Sequence, residues 1–279
     1  MHYTPGCEIK PGMAMPAGVR RHVLAVEYKG TDFCGFQRQQ NARNTVQEAL
    51  ETGLTRIAAH PVRIICAGRT DTGVHATWQV VHFDTAVERP ERAWLLGLNT
   101  EMPRSVRAVA HFEMPEDFHA RFSAVTRIYR YVFIHGTTPP ALLHGLVTWL
   151  PYGVDLDRMR AAATYLQGEH DFSAFRASQC QASSPVRTLQ SLQIDQCGGY
   201  CVVELRANGF LHHMVRNIMG SLFVVGRGSR PPEWVAEVLN GRDRQLAAAT
   251  ASSAGLYLCG VQYPERFQLP REPMGPPLW

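Results

Sequence analysis

One segment of this 279-residue chain concentrates groups able to do chemistry: Cys66-Ala-Gly-Arg-Thr-Asp-Thr-Gly-Val-His-Ala76. Two glycines, Gly68 and Gly73, bracket Arg69, Thr70, Asp71 and Thr72, and short apolar runs precede and follow the segment. A tight loop between strands is where a rigid scaffold carries reactive groups. Asp71 can serve there as a nucleophile, an acid/base group or a metal ligand. The ordinary role of a loop aspartate is to cap backbone N–H groups. Arg69, two residues away, favours the charged carboxylate. Asp71-Thr72-Gly73 also has the D-T-G spelling of a dimeric aspartic protease, whose chemistry needs two carboxylates sharing one proton. The chain has no second D-T-G or D-S-G, and a charged Arg69 beside such a dyad would oppose the shared proton.

A second cluster, Asp117-Phe-His-Ala-Arg-Phe-Ser-Ala-Val-Thr-Arg-Ile-Tyr-Arg-Tyr131, interleaves Arg121, Arg127 and Arg130 with Phe122, Tyr129 and Tyr131. On a strand, Tyr129 and Tyr131 share one face and Arg130 takes the other. Aromatics on an open sheet can stack nucleobases; the plainer alternative is a core of tyrosines with solvated arginines. The third cluster is Asn208-Gly-Phe-Leu-His-His-Met-Val-Arg-Asn217. Arg216 falls among Met214, Val215 and Ile218 and calls for a carboxylate or phosphate partner. His212 and His213, adjacent on a helix, would diverge by about 100° and make a poor metal pair. Cys197-Gly-Gly-Tyr-Cys201 reads as two strand cysteines flanking a turn, with no second Cys/His pair spaced to complete a zinc site.

These clusters need a scaffold, and the hydrophobic pattern supplies one. The spacing predicts strands at His22–Lys29, Val62–Cys66, Trp78–Phe83 and Ser105–Met114, with helices at Asn44–Ala59 and Pro90–Asn99. Asn44 with Gln47, and Thr45 with Glu48, have capping-box spacing. The second half predicts strands at Thr126–Ile134, Arg187–Gln196, Tyr200–Ala207 and Leu256–Tyr263, the middle two forming a hairpin about Gly198-Gly199. Its helices are expected at Asp155–Gln167, Phe210–Val225, Pro231–Leu239 and Arg244–Thr250. The orders β-α-β-β-α-β and β-α-β-β-α-α-α-β point to an α+β chain of two ferredoxin-like (RRM-like) units. Side by side, such units form one long, mainly antiparallel sheet with helices on one face. The expected divisions are a flexible tail at 1–18, a domain carrying the Asp71 loop at 19–115, a second domain at 116–265 and a Pro-rich tail at 266–279.

Composition narrows the function classes. Apolar residues are 45% and charged residues 19% of the chain, which excludes a disordered chain. No apolar run reaches the roughly 18 residues of a membrane span, and Pro5, Pro11 and Pro16 interrupt any signal-peptide core. Seven cysteines without a C-x-x-C pair read as reduced thiols in a cytoplasmic protein. The 28 basic residues exceed the 24 acidic ones by four, too little to identify a nucleic-acid binder from charge alone.

Taken together and in this order, the clusters resemble the TruA family of tRNA pseudouridine synthases. Tyr28-Lys-Gly-Thr-Asp-Phe-Cys-Gly-Phe-Gln-Arg-Gln39 is similar to its opening strand and loop, and Ala67–Ala76 to its A-G-R-T-D-x-G-V-H motif. His119–Tyr131 is similar to its H-A-R-F-S-A…R-x-Y-x-Y stretch, Phe210–Gly220 to its F-x-H-H-M-V-R-N-I-x-G helix, and Gly255–Leu258 to its last strand. The resemblance implies isomerisation of uridine to pseudouridine at positions 38, 39 and 40 of the tRNA anticodon stem-loop. It implies a homodimer, no metal or organic cofactor, and an RNA-binding cleft on the sheet face opposite the helices. By it, Asp71 is the nucleophile, Arg216 its ion-pair partner, and Tyr129 stacks on the target base. Arg69 fills the space left when the base flips, Arg121 holds phosphates, and Asp117, Phe118, His119 and Ala120 complete the RNA-binding stretch. The rival is a non-catalytic RNA-binding protein, which would have no need of the intact Asp71 loop.

Overall fold

The computed structural model describes residues 14–39, 44–272 and 275–278. Most of the expected N-terminal tail and part of the C-terminal one lie outside them. The chain divides into two units. The first runs to Val125 and takes back Leu258–Pro276, and the second is Thr126–Tyr257. The division thus falls ten residues beyond the boundary drawn from the sequence at Pro115.

In the first unit, β1 (Arg20–Tyr28) lies between β3 (His75–Thr85) and β4 (Val106–Met114), antiparallel to both. The run Val23-Leu-Ala-Val26 is buried throughout, as expected of a central strand covered on both faces. Helix α1 (Val46–Ala58) begins at Thr45, whose hydroxyl accepts the Glu48 N–H at 3.2 Å. The Glu48 carboxylate reaches back one residue further than a capping box requires, to the Asn44 N–H. The helix buries Val46, Leu50 and Leu54, each contributing about 1.5–3 kcal/mol. A five-residue π-helix, Ala93–Gly97, runs into α2 (Leu98–Glu101). Leu98 and Met102 fill the space above Gly53, so this pair of helices covers one face.

Strand β2 is only Ile65–Cys66, paired with β3, shorter than the expected Val62–Cys66. The residues before it are tied to α1 instead: the Val62 N–H goes to the Thr55 hydroxyl and the Ile64 N–H to the Glu51 carboxylate.

In the second unit the strand order is β5 (Thr126–His135), β9 (Tyr200–Ala207), β8 (Val186–Cys197) and β7 (Gly168–Asp171), antiparallel throughout. A short β6 (Thr148–Leu150) runs parallel to β5. Helices α3 (Leu156–Thr164) and α4 (Met214–Gly226) pack where Gly226 meets Met159. Phe223 of α4 stands edge-on to Tyr131 and Phe133 of β5. Arg130, on the opposite face, pairs with Glu204 at 2.8 Å, so the expected alternation along β5 holds. Helix α5 (Trp234–Gly241) follows, and β10 (Leu256–Gln262) begins in this unit and ends in the first.

The ten strands are mainly antiparallel and the class is α+β. Strands β6 and β7 were not expected; β7 is the polar Gly168-Glu-His-Asp171, with no apolar alternation to reveal it. Helix α4 starts at Met214 rather than Phe210, because His213 adopts a left-handed backbone with φ of 62°. The expected helix at Arg244–Thr250 is a single 3-10 turn, Arg244–Leu246.

Candidate active site

The loop between β2 and β3 carries Asp71. Its carbonyl accepts the Val74 N–H at 3.1 Å, and Gly73 takes φ of 79°, the pattern of a type II turn with glycine at its third position. Upstream, the buried Gln79 side chain bonds both backbone groups of Gly68. The Tyr28 hydroxyl bonds the Thr70 hydroxyl at 2.8 Å and also meets the Gln79 amide. Tyr28, Thr70 and Gln79 are all buried, and a polar network at such depth holds position because every lost bond leaves an unsatisfied group.

The segment after β1 closes on the loop from the other side. The Phe36 N–H donates to the Thr70 carbonyl at 3.0 Å, and the Gly30 N–H to Nδ1 of His75 at 3.0 Å. Side chains are impossible where the two backbones meet. A Cβ on Gly30 would stand 1.9 Å from the Val74 carbonyl oxygen, and one on Gly35 would crowd the Thr70 carbonyl. Asp71 is therefore half-buried on a backbone fixed before and after it, with Arg69 exposed beside it. Burial pushes the Cys66 thiol, at the foot of the loop, up to about 11, against the pull of the Arg69 and Arg121 charges. Those two guanidinium groups thus act on the same place.

Arg121 sits on a turn that the first unit holds by polar bonds. Nδ1 of His119 accepts the N–H groups of Arg121 and Phe122, both at 3.1 Å. The Ser123 hydroxyl accepts the His119 N–H, Nδ1 of His82 accepts the Ala120 N–H, and the Tyr263 hydroxyl donates to the Ala120 carbonyl. Arg21, buried and bidentate on Asp84 at 2.8 Å, donates to the carbonyls of Glu116 and Phe118. Phe118 and Ala120 are wholly buried and support the turn from beneath, Phe118 against Tyr263 and Phe267. The Asp117 carboxylate is paired with Arg266 at 2.8 Å.

In the second unit, Tyr129 is buried on β5 opposite Leu205, its ring edge-on to Phe210. Arg216 lies in the first turn of α4. Its Nε donates to the Ala251 carbonyl at 2.8 Å, and its own carbonyl accepts the Ala251 N–H at 3.1 Å. The helix is locked to the 247–251 segment by neighbouring residues. Asn217 bonds the Phe175 carbonyl, Arg244 and Thr250, and Gly220 lets the Ala249 carbonyl touch the helix backbone. Burial raises the Tyr131 hydroxyl far above its usual range while the Arg216 charge pulls it down. His212 and His213 do not diverge as expected: their ring centroids are 4.1 Å apart, because both precede the helix.

Asp71, Arg69, Arg121, His119, Asp117, Phe118 and Ala120 thus belong to the first unit, and Tyr129 and Arg216 to the second. Sequence reasoning missed the residues that hold the loops: Tyr28, Gln79, His82, Arg21 and Asp84. A signal existed for some of them, since Gln79 and His82 interrupt an otherwise apolar run.

A family model described as tRNA pseudouridine synthase matches residues 24–123 and 162–264. The first span contains Asp71 and Arg121, the second Arg216, and Tyr129 falls between them. The tRNA pseudouridine synthase A of Alcanivorax borkumensis is 52% identical over 93% of this chain and 97% of its own length. That of Pseudomonas aeruginosa is 51% identical over 93% and 91%, and that of Vibrio parahaemolyticus 50% over 92% and 97%.

Proposed function

The chain belongs to the tRNA pseudouridine synthase family, and from that premise we propose that it modifies uridines 38, 39 and 40 of the anticodon stem-loop with Asp71 as nucleophile. It is an isomerase that converts uridine in tRNA to pseudouridine. The bond from C1′ to N1 breaks, the uracil rotates, C1′ bonds to C5, and the C5 proton leaves while N1 gains one. Atoms balance without an oxidant or co-reactant. Addition of Asp71 to C6 and its attack on C1′ both begin with an ionised carboxylate, and a cation beside a carboxylate removed from water keeps it ionised. Arg216 is that cation in this reading. Tyr129 stacks on the target base, and Arg69 fills the space left by the flipped base at a cost of a few kcal/mol for unstacking. Arg121 holds phosphates, contacts that position an RNA rather than read it. Asp117, Phe118, His119 and Ala120 shape the turn that presents it.

The observation that carries the reading is the fixed Asp71 loop. Two glycine approaches and a buried hydroxyl–amide network hold a half-buried carboxylate with an arginine two residues away. Such pre-organisation serves a reacting group. The enzyme works as a homodimer in the cytoplasm, where its tRNA substrate is found. No helix among the described residues is long and apolar enough to cross a membrane. The test is release of tritium from a tRNA transcript carrying C5-tritiated uridine, with Asp71→Asn alongside. Release by the wild type alone, mapped to the anticodon stem-loop, supports the reading. Tight binding without release would make the chain a binder and end it.

A further inference from the structure

We propose that His75 is a positioning residue for Asp71: its imidazole holds the Gly30 backbone as a stop against the Gly73–Val74 peptide, and that stop sets the exit of the turn carrying the carboxylate. This rests on the reading above that Asp71 is the nucleophile. His75 acts through the backbone and not on the substrate.

His75 opens β3 and is 1% exposed. Its Nδ1 accepts the Gly30 N–H at 3.0 Å. An amide nitrogen only donates, so Nδ1 presents a lone pair and the proton of the ring is on Nε2. Gly30 is buried, and its N–H therefore needs an acceptor from the protein. The Gly30 carbonyl is held as well, accepting the Phe33 N–H at 3.0 Å across the 3-10 turn Gly30–Asp32. Fixed on both sides, this glycine lies against the exit of the Asp71 loop. A Cβ on it would stand 1.9 Å from the Val74 carbonyl oxygen and 3.0 Å from the Gly73 carbonyl carbon.

The Gly73–Val74 peptide closes the turn, because the Val74 N–H donates to the Asp71 carbonyl at 3.1 Å. Gly73, at φ of 79°, brings a wide choice of backbone angles to that peptide. The packed Gly30 backbone takes the choice away. The entrance of the loop has its own supports in Tyr28, Thr70 and Gln79; His75 serves the exit. Without an acceptor on residue 75, the buried Gly30 N–H is left unsatisfied and the stop is free to shift toward another partner. A shift of about 1 Å at a reacting group can cost about 100-fold in rate. Contacts to tRNA phosphates lie elsewhere and should survive.

The test is single-turnover tritium release from a tRNA transcript carrying C5-tritiated uridine, with tRNA affinity and melting temperature measured on each variant. His75→Leu fills the space of the ring without an acceptor. Its rate should fall by roughly 10- to 100-fold, with affinity within about twofold of wild type. His75→Asn places its Oδ1 close to where Nδ1 stands and should return the rate to within about threefold. Its smaller side chain leaves a void, so its melting temperature should stay below wild type. A rate that recovers while stability does not is beyond a merely structural histidine. In isotopically labelled protein, the ring-nitrogen resonances of His75 should show the proton on Nε2. A proton on Nδ1 would overturn the proposal, as would a wild-type rate in His75→Leu. A rate that falls with melting temperature in both variants, unrepaired by asparagine, would make His75 a core residue alone and end it. A fall in affinity matching the fall in rate would assign His75 to RNA contact, also ending it. If His75→Leu does not fold, His75→Asn and the resonances decide, and a folded His75→Asn slowed about tenfold or more sinks the idea. If Asp71→Asn turns over normally, the reading of Asp71 fails and this role falls with it. If Asp71→Asn is inactive beside a normal His75→Leu, only the role of His75 falls.

Discussion

The Asp71 loop and the start of α4 each fix one charged residue, by opposite means. Around Asp71 no regular structure sets the side chain. The loop is held by groups distant in sequence: Tyr28, Phe36 and Gln79 through hydrogen bonds, and Gly30 and Gly35 through the absence of a side chain. Arg216 takes its direction from a helix, and one neighbouring segment, 247–251, clamps that helix through Asn217, Gly220 and Ala251. A loop can present a carboxylate at any angle but needs many separate bonds to hold it there. A helix needs few bonds, but the residue must accept the helix's direction. Asp71 has the costlier mounting, and its geometry is the more easily spoiled from a distance.

The largest effect that tests this contrast comes from the charged residues themselves. Asp71→Asn keeps the size of the side chain and every backbone bond, so melting temperature and tRNA affinity should stay near wild type. Single-turnover rate should fall by roughly 10⁴-fold or more, as for removal of a nucleophile. Arg216→Leu removes a charged donor from the Ala251 carbonyl as well as the charge proposed to keep Asp71 ionised. It should lower stability by about 1.5–3 kcal/mol and also cut the rate. Rate and melting temperature measured on both variants decide the matter. If Asp71→Asn unfolds the protein, or Arg216→Leu melts like wild type, the two mountings have been misread.

That contrast also explains how much was legible in advance. Helix α1, the β8–β9 hairpin and the alternation of Tyr129, Arg130 and Tyr131 follow from local periodicity. The Asp71, Arg121 and Arg216 motifs were recognisable because their residues are contiguous. Two short strands and the true start of α4 were not, since a polar β7 has no pattern and the positive φ of His213 is imposed by its surroundings. The supports of the loops were also hidden. Nothing local couples Tyr28 to Thr70, or His82 to Ala120; each pair meets only once the sheet has formed.

A smaller effect separates the units by pH. In the first unit β1 and β3 carry the buried imidazoles of His22 and His82, and β4 the half-buried one of His111; β8 and β9 carry no histidine. Burial, then the charges of His111 and Arg20, lowers His22 from 6.5 to about 4. His82 is likewise lowered by burial, Arg21 and His119, and His111 by burial against the opposing pull of Glu91 and Glu113. The unfolded chain therefore takes up the His22 proton first. Stability is whole above about pH 6.5 and is lost as pH falls toward 4, by about 2 kcal/mol at pH 5 from His22 alone. Denaturation midpoints should fall over that window, and less so in His22→Phe, whose ring can still pack on Phe83 and Trp94. Amides of β1 and β3 should lose exchange protection before those of β8 and β9. A flat midpoint from pH 7 to 5 would remove the acid-sensitive half of the comparison.

The smallest effect is the most discriminating, because it uses one chemical change in both places. Tyr28 and Tyr131 are buried tyrosines whose hydroxyls are held un-ionised by burial. Each bonds a threonine hydroxyl, Thr70 at 2.8 Å and Thr148 at 2.7 Å, and Tyr131 also donates to the Ser252 carbonyl. Tyr28→Phe and Tyr131→Phe keep the rings and strand those partners, so each should lower stability by about 1 kcal/mol. Their rates should differ. Without Tyr28, Thr70 and Gln79 are free to shift the backbone next to Asp71, and a loss of about 1.4 kcal/mol in the transition state is a tenfold slower turnover. Without Tyr131, the helix and the Ala251 backbone still aim Arg216, and the rate should stay within about twofold. Equal slowing of both variants at equal loss of stability would mean that the loop is no more dependent on distant bonds than the helix. A slow Tyr28→Phe beside a normal Tyr131→Phe would show that the position of Asp71 depends on a hydroxyl more than forty residues away in sequence.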